Sequence, residues 1–170
     1  MTPMLRQYLE LKQQAGTALL LYRMGDFYEL FFEDAQRAAP VLGIALTRRR
    51  HNDAVEAPMC GVPYHAFDGY LGKLLDAGFR VAVAEQVEDP ATAKGLVRRE
   101  IVRTHTPGTV SSTELLEGSE RCFLAAFGGD DESYALAWLE LSTGTFEGMR
   151  CDARSSVSEQ LARLRPREIL

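Results

Sequence analysis

Between Leu19 and Thr106 the hydrophobic pattern changes period repeatedly, and this alternation is what most constrains the fold. Leu19-Leu20-Leu21-Tyr22 is an apolar run of strand length that ends near Gly25. From Asp26 the pattern turns helical, with Phe31, Ala35, Ala38 and Leu42 on one face and Glu33, Asp34 and Arg37 on another. Pro40 falls inside that pattern and predicts that the helix stops just before it. Ile44-Ala45-Leu46-Thr47 predicts a second strand, followed by a polar loop from Arg48 to Glu56. Phe67, Tyr70, Leu71, Leu74 and Leu75 have helical spacing, and Gly78 ends that helix. Arg80–Val87 and Val97–Thr106 read as strands, with Asp89-Pro90 opening the loop between them. Upstream, Thr2 is a candidate N-cap and Pro3 a first helical residue, ahead of the apolar face Met4, Leu5, Tyr8, Leu9 and Leu11. Strands alternating with helices predict an α/β fold, a mixed β-sheet flanked by helices.

Pro107-Gly108-Thr109 opens a stretch rich in Ser, Thr, Gly and Glu that runs to about Glu120, the composition of a domain boundary. Three strands are predicted after it, over Cys122–Phe127, Tyr134–Leu141 and Thr145–Met149. A helix with Val157, Leu161 and Leu164 on one face follows, and Ile169-Leu170 looks like the start of another strand. The expected organisation is a domain over 1–110, a linker over 111–120, and a truncated second domain over 121–170.

The chain has 170 residues, enough for one domain and part of a second. No apolar run approaches the roughly 18 residues of a membrane span, and Met1 to Arg6 lacks the basic-then-apolar order of a secretion signal. Cys60, Cys122 and Cys151 share no short spacing, which fits reduced thiols in a cytoplasm. The net charge of −5 on its own argues against a general nucleic-acid binder, but the charge is unevenly distributed. Residues 1–110 carry 13 basic and 13 acidic side chains, so the whole −5 falls after them. That neutral stretch holds two basic clusters, Arg48-Arg49-Arg50 and Arg98-Arg99 with Arg103. Such clusters are either solvated loop charges or phosphate contacts.

The most informative segment is Tyr22 to Phe31. Asp26 is placed as a helix N-cap, and Glu29 three residues later completes a capping box. Phe27 then falls at the first helical position, where an aromatic is either tucked against the core or offered to a partner.

Gly25-Asp26-Phe27-Tyr28-Glu29-Leu30-Phe31 resembles the signature segment of the mismatch-binding domain of the MutS family. Thr2-Pro3-Met4, Pro58-Met59-Cys60-Gly61-Val62-Pro63-Tyr64-His65, Asp89-Pro90-Ala91-Thr92-Ala93-Lys94-Gly95 and Thr106-Pro107-Gly108-Thr109 resemble that family too, in order and at its spacing. The similarity is dense over 1–110 and looser over 121–170, as the start of the family's connector domain, whose sheet is ribonuclease H-like. The resemblance implies that Phe27 enters the minor groove and stacks on a mispaired base, and that Glu29 hydrogen-bonds that base. An aromatic wedge meets an unstacking cost of a few kcal/mol per step, and a mispaired step is already weakened. A carboxylate among phosphates is disfavoured unless it accepts a base N–H, or takes up a proton and donates to a ring nitrogen.

Further candidates carry less. Arg48 and Arg49, and Lys94 beside Gly95, could reach phosphates, and Met24 either packs beside Phe27 or fills the core. Cys60 and His65 are five apart with no further pair, which is no zinc site; Gly61 and Pro63 between them suggest a turn. Glu140, before Leu141-Ser142-Thr143-Gly144, stands where a ribonuclease H-like sheet begins but lacks the companion carboxylates that nuclease chemistry needs. No Gly-x-x-x-x-Gly-Lys-[Ser/Thr] phosphate loop occurs. The expected function is therefore non-enzymatic reading of mispaired or unpaired bases in duplex DNA, with no cofactor in this segment. The resemblance assigns ATP, magnesium and most contacts of a homodimer to a C-terminal ATPase domain beyond residue 170. It also implies downstream repair factors as partners and a bacterial cytoplasmic, nucleoid-associated location. Two rivals stand beside it: a metal-dependent nuclease using Asp26, Glu29 and His65, and an interaction module docking through Phe27 and Phe31.

Overall fold

Thr2 and Pro3 open the chain as the sequence suggests, with Thr2 Oγ1 accepting the Leu5 amide at 3.3 Å at the start of helix α1 (Pro3–Ala15). The structure is a computed structural model. It describes residues 2–52, 55–89, 93, 95–109, 121–130 and 133–170, without the side chains of residues 49–52 and 55. The chain divides into two compact units, Met1–His105 and Thr106–Leu170.

In the first unit α1 is followed by β1 (Leu19–Met24), β2 (Phe27–Phe31), α2 (Phe32–Leu42), β3 (Thr47–Asn52) and β4 (Val55–Pro63). A single 3-10 turn (Tyr64–Ala66) leads into α3 (Phe67–Asp76), then β5 (Val81–Gln86) and β6 (Arg99–His105). The six strands form one mixed sheet in the order β3-β4-β2-β1-β5-β6. Only β1 and β5 run parallel; every other neighbouring pair is antiparallel. Leu19, Leu20, Leu21 and Tyr22 in central β1 are all at most 1% exposed, so both faces of the sheet are covered there. Leu20 and Tyr22 share a cluster with Tyr8 and Leu11 of α1 and with Phe31. Leu19 and Leu21 point to the opposite face. Helices α2 and α3 pack on each other and against the sheet.

One buried ion fastens these elements. Asp34 of α2 is 2% exposed; it accepts the Leu20 amide at 2.9 Å and pairs with Lys12 of α1, also at 2.9 Å. Lys12 Nζ donates in turn to the Ala18 carbonyl at 2.6 Å, so α1, β1 and α2 meet at one carboxylate.

Several sequence expectations are corrected. The helix does not begin at Asp26: residues 27–31 form β2, because β1 on one side and β4 on the other supply ladder partners to their backbone. The capping box of Asp26 and Glu29 therefore does not exist, and α2 starts at Phe32 with Glu33 and Asp34 in its first turn. Pro40 does not stop α2, which runs on to Leu42 and closes at Gly43. The proline lies on the exposed side of the last turn, while Ala38, Ala39 and Leu42 stay buried on the other. Ile44–Leu46 is not a strand, and Arg48–Asn52, expected in a loop, lies in β3. The turn expected around Gly61 and Pro63 is the end of β4.

The second unit follows its expected order more closely. β7 (Phe123–Gly129), β8 (Tyr134–Glu140) and β9 (Thr145–Cys151) form an antiparallel meander, then α4 (Arg154–Leu164) leads to β10 (Glu168–Ile169). β10 pairs parallel to β7 and gives the order β10-β7-β8-β9. Phe123, Ala125, Leu136, Trp138, Cys151 and Val157 make its core, with Leu161 and Leu164 of α4 packed on it. This is the mixed sheet expected for the opening of a ribonuclease H-like domain. The linker expected over 111–120 lies outside the described residues.

Candidate nucleic-acid interface

β1 and β2 are joined by two residues, Gly25 and Asp26, with Met24 and Phe27 as the last paired positions. Gly25 has φ +57° and Asp26 does not share a positive φ, the pattern of a tight hairpin with glycine at its first turn position. Phe27 thus stands at a hairpin tip and is 46% exposed, although its neighbours Tyr28 and Leu30 are buried. The choice that sequence left open, core or partner, falls on the exposed side for Phe27 and on the buried side for Phe31, which is 0% exposed. An interaction patch made jointly by Phe27 and Phe31 is therefore ruled out: Phe31 lies under α1, its ring 4.9 Å from that of Tyr8.

Strand alternation puts Phe27, Glu29 and Phe31 on one face of β2. Glu29 pairs with Tyr22 on one side and Gly61 on the other, and Phe27 with Met24 and Pro63. Met24 is half-buried against the α1-side core while standing opposite Phe27, so it is both core filler and neighbour. Gly61 lies beside the acid, at distances that a side chain there would also tolerate. A Cβ there would lie 3.5 Å from Glu29 Cγ and 3.4 Å from the Tyr28 carbonyl oxygen. This face carries the exposed Phe27 ring and, two residues on, the half-buried Glu29 carboxylate.

The opposite side of the tip carries a different set. Arg23 Nε donates to the Gly25 carbonyl at 2.5 Å, and its guanidinium carbon lies 4.0 Å from the ring centre of Tyr64 and 5.4 Å from that of Tyr28. Tyr28 donates its hydroxyl to Glu85 of β5. Burial, reinforced by the Glu85 carboxylate, pushes that hydroxyl's pKa up to about 12 against the pull of Arg23. The Tyr64 amide donates to the Asp26 carbonyl at 2.9 Å, while from the α1 face of the sheet Arg99 Nε donates to the Arg23 carbonyl at 2.6 Å. The sequence reading missed Arg23 and Tyr64 because it placed β2 in a helix and β4 in a turn. The signal available was the aromatic content of Phe27-Tyr28-Glu29-Leu30-Phe31, which favours a strand.

The basic candidates are not gathered at the tip. Arg48 lies in edge strand β3, opposite Pro58 and ion-paired with Glu56 at 3.7 Å, both side chains well exposed. It is two strands and five registered residues from Phe27, on the order of 20 Å. Arg49 stands at the register position of Ala57, its side chain outside the described residues, as is the whole of Lys94. Arg99 is 7% exposed and serves the fold, stacking on Tyr22 at 4.7 Å. Cys60 is buried and directs its thiol at the Ala35 carbonyl, while His65 is exposed in the 3-10 turn. Among the described residues no three His, Cys, Asp or Glu side chains converge as a metal requires, so Asp26, Glu29 and His65 do not form the nuclease cluster. Glu140 is 6% exposed and accepts from Thr143 Oγ1 at 3.1 Å, a structural bond at a strand end. No helix among the described residues is long and apolar enough to cross a membrane.

The family profile for MutS domain I matches residues 2–114, and that for MutS domain II matches residues 122–170. The chain belongs to the MutS family. A DNA mismatch repair protein MutS from Dinoroseobacter shibae is 55% identical over 99% of this chain and 20% of its own length. Another from Desulfosudis oleivorans is 52% identical over 99% of this chain and 19% of its own. A third, from Cereibacter sphaeroides, is 53% identical over 99% of this chain and 20% of its own. The chain spans about a fifth of the length of these relatives. Within the MutS family frame, the six-stranded unit corresponds to domain I and the meander unit to the opening of domain II.

Proposed function

We propose that this segment recognises mispaired or unpaired bases in duplex DNA, the first event of mismatch repair, with Phe27 as a minor-groove wedge and Glu29 as the group that bonds the displaced base. The observation that carries the proposal is the exposed Phe27 ring on the tip of a two-residue hairpin, with a carboxylate two residues along the same face. A single ring projecting from a hairpin tip can enter a groove about 6 Å wide that does not admit a helix. Inserting the ring must offset a few kcal/mol of unstacking, and a mispaired step asks less of it than a matched one. Preference therefore follows deformability, so chemically different mispairs are accepted. Glu29 adds a bond that a fully paired base does not offer, and costs affinity wherever it finds no such partner.

The segment reads bases without catalysing a reaction. Residues 1–110 would form the recognition domain, 111–120 the linker and 121–170 the beginning of the connector. Arg48, Arg49 and Lys94 would position the phosphate backbone at a distance from the tip. ATP hydrolysis, pairing into a dimer and contacts with later repair factors would belong to the remainder of a full-length protein in a bacterial cytoplasm.

The test is a competition between a duplex with one G·T mispair and its matched twin at fixed salt, using a protein of full family length that carries this segment. The expected result is a preference for the mispair that Phe27→Ala abolishes, at least a tenfold change or about 1.4 kcal/mol. A variant that discriminates as well as its parent removes Phe27 from the site.

A further inference from the structure

The hairpin tip is held from behind by a side chain that takes no part in the recognition face. We propose that Arg23 is a positioning residue, a clamp that fixes the turn so that Phe27 is presented rigidly; the inference rests on the reading of Phe27 as the wedge. Three groups meet the Arg23 guanidinium: the Gly25 carbonyl and the rings of Tyr64 and Tyr28. Nε donates to the Gly25 carbonyl in the turn itself. The guanidinium plane lies over Tyr64, which is 47% exposed, and within reach of the Tyr28 ring. Tyr64 in turn donates its amide to the Asp26 carbonyl, the second residue of the turn, and Tyr28 is anchored on Glu85 of β5. From the α1 side of the sheet, the Arg99 guanidinium holds the Arg23 carbonyl. Both carbonyls of the two-residue turn are thus accounted for, one by Arg23 and one by the backbone of the residue that Arg23 stacks upon.

The physical need is plain. A ring that must separate stacked bases works against a load, and a turn free to swing would yield before the bases do. A two-residue turn on glycine has little rigidity of its own. Arginine suits the task because one planar group donates through Nε while stacking through its face, which a lysine ammonium cannot do. Because Arg23 lies opposite Tyr28, on the face of β2 away from Phe27 and Glu29, its action on DNA runs through the turn.

The experiment uses Arg23→Met and Arg23→Lys in the full-length protein, with Tyr64→Leu as a variant that removes the stacking partner and leaves the charge. Two readouts are taken. The first is binding to G·T and matched duplexes over a series of salt concentrations. The second, without DNA, is hydrogen exchange at the Tyr64 amide, with the Leu21 amide in the central strand as a check that the fold is intact. The expected result is about a tenfold loss of mismatch preference in all three variants, an unchanged salt slope, and, in the two Arg23 variants, exchange at Tyr64 about tenfold faster with Leu21 unmoved. Rescue by Arg23→Lys would overturn the clamp, as would a salt slope reduced by about one in Arg23→Met with equal weakening on both duplexes, since each marks a phosphate contact. Unchanged discrimination and unchanged Tyr64 exchange would overturn it as well. If the parent protein shows no mismatch preference, the wedge reading fails. The clamp is then judged by exchange alone, faster exchange at Tyr64 supporting it and unaltered exchange removing it.

Discussion

Gly25 determines where Phe27 points more directly than any property of Phe27 does. Its φ of +57° lies in a region that costs an L side chain about 1–2 kcal/mol, and nothing crowds its Cα, so the demand is conformational and not steric. Gly25→Ala is accordingly expected to lower stability by about 1–2 kcal/mol, read as a shift in the urea midpoint at unchanged m-value. An equal or greater stability would show that the turn does not need glycine. Gly61 beside Glu29 is a contrast: its φ is ordinary and a Cβ there would make only ordinary contacts, at 3.4 Å and beyond, so neither conformation nor space requires glycine at that position. At this scale the sequence was informative about identity and misleading about geometry. Asp26 and Glu29 have the spacing of a capping box, yet they lie at a turn and in a strand. A local motif offers a few tenths of a kcal/mol to about one, and two strand partners outweigh it.

Between elements, Asp34 is the point of greatest leverage. A carboxylate 2% exposed is tolerable only because it meets an amide of β1 and the ammonium of Lys12. Asp34→Ala leaves the Leu20 amide without its acceptor and Lys12 with the Ala18 carbonyl alone, and because Lys12 is partly exposed the expected loss is about 3 kcal/mol in a denaturant titration. Replacing Asp34 and Lys12 together by apolar residues should cost less than either alone, since no orphaned charge remains. Helix α2 shows the same competition between local rule and packing. A proline in a helix interior costs about 3 kcal/mol, but Pro40 sits in the last turn on the outer side, where only the Gln36 carbonyl loses a donor and water can replace it. The burial of Leu42 past it, worth roughly 1.5–3 kcal/mol, carries the helix on. Strand β4 was unreadable for a related reason: Pro58, Gly61 and Pro63 look like turn residues, and only pairing with β2 and β3 makes them a strand.

For the molecule as a whole, the two units have separate cores, and Trp138, the sole tryptophan, belongs to the second. Its indole donates to Glu147 at 3.0 Å and it is 8% exposed, so its emission reports the folding of that unit. Asp34→Ala is expected to move the midpoint seen by far-ultraviolet circular dichroism while the Trp138 emission midpoint stays in place. Coincident shifts in both would show that the units fold as one. The sequence by itself determined the succession of elements in the second unit, the ends of β1, α3 and β5 to within a residue or two, and the family. These rest on hydrophobic period and on ordered motifs, which are properties of the chain read in one dimension. Only the tertiary structure decided that residues 27–31 are a strand, that Phe27 is exposed while Phe31 is buried, and that Arg23 grips the turn from behind. Each of those depends on a partner distant in sequence: β4 for the ladder, α1 for the cover, Tyr64 for the stack. A chain of short-range preferences contains no term for such partners until the sheet has brought them side by side.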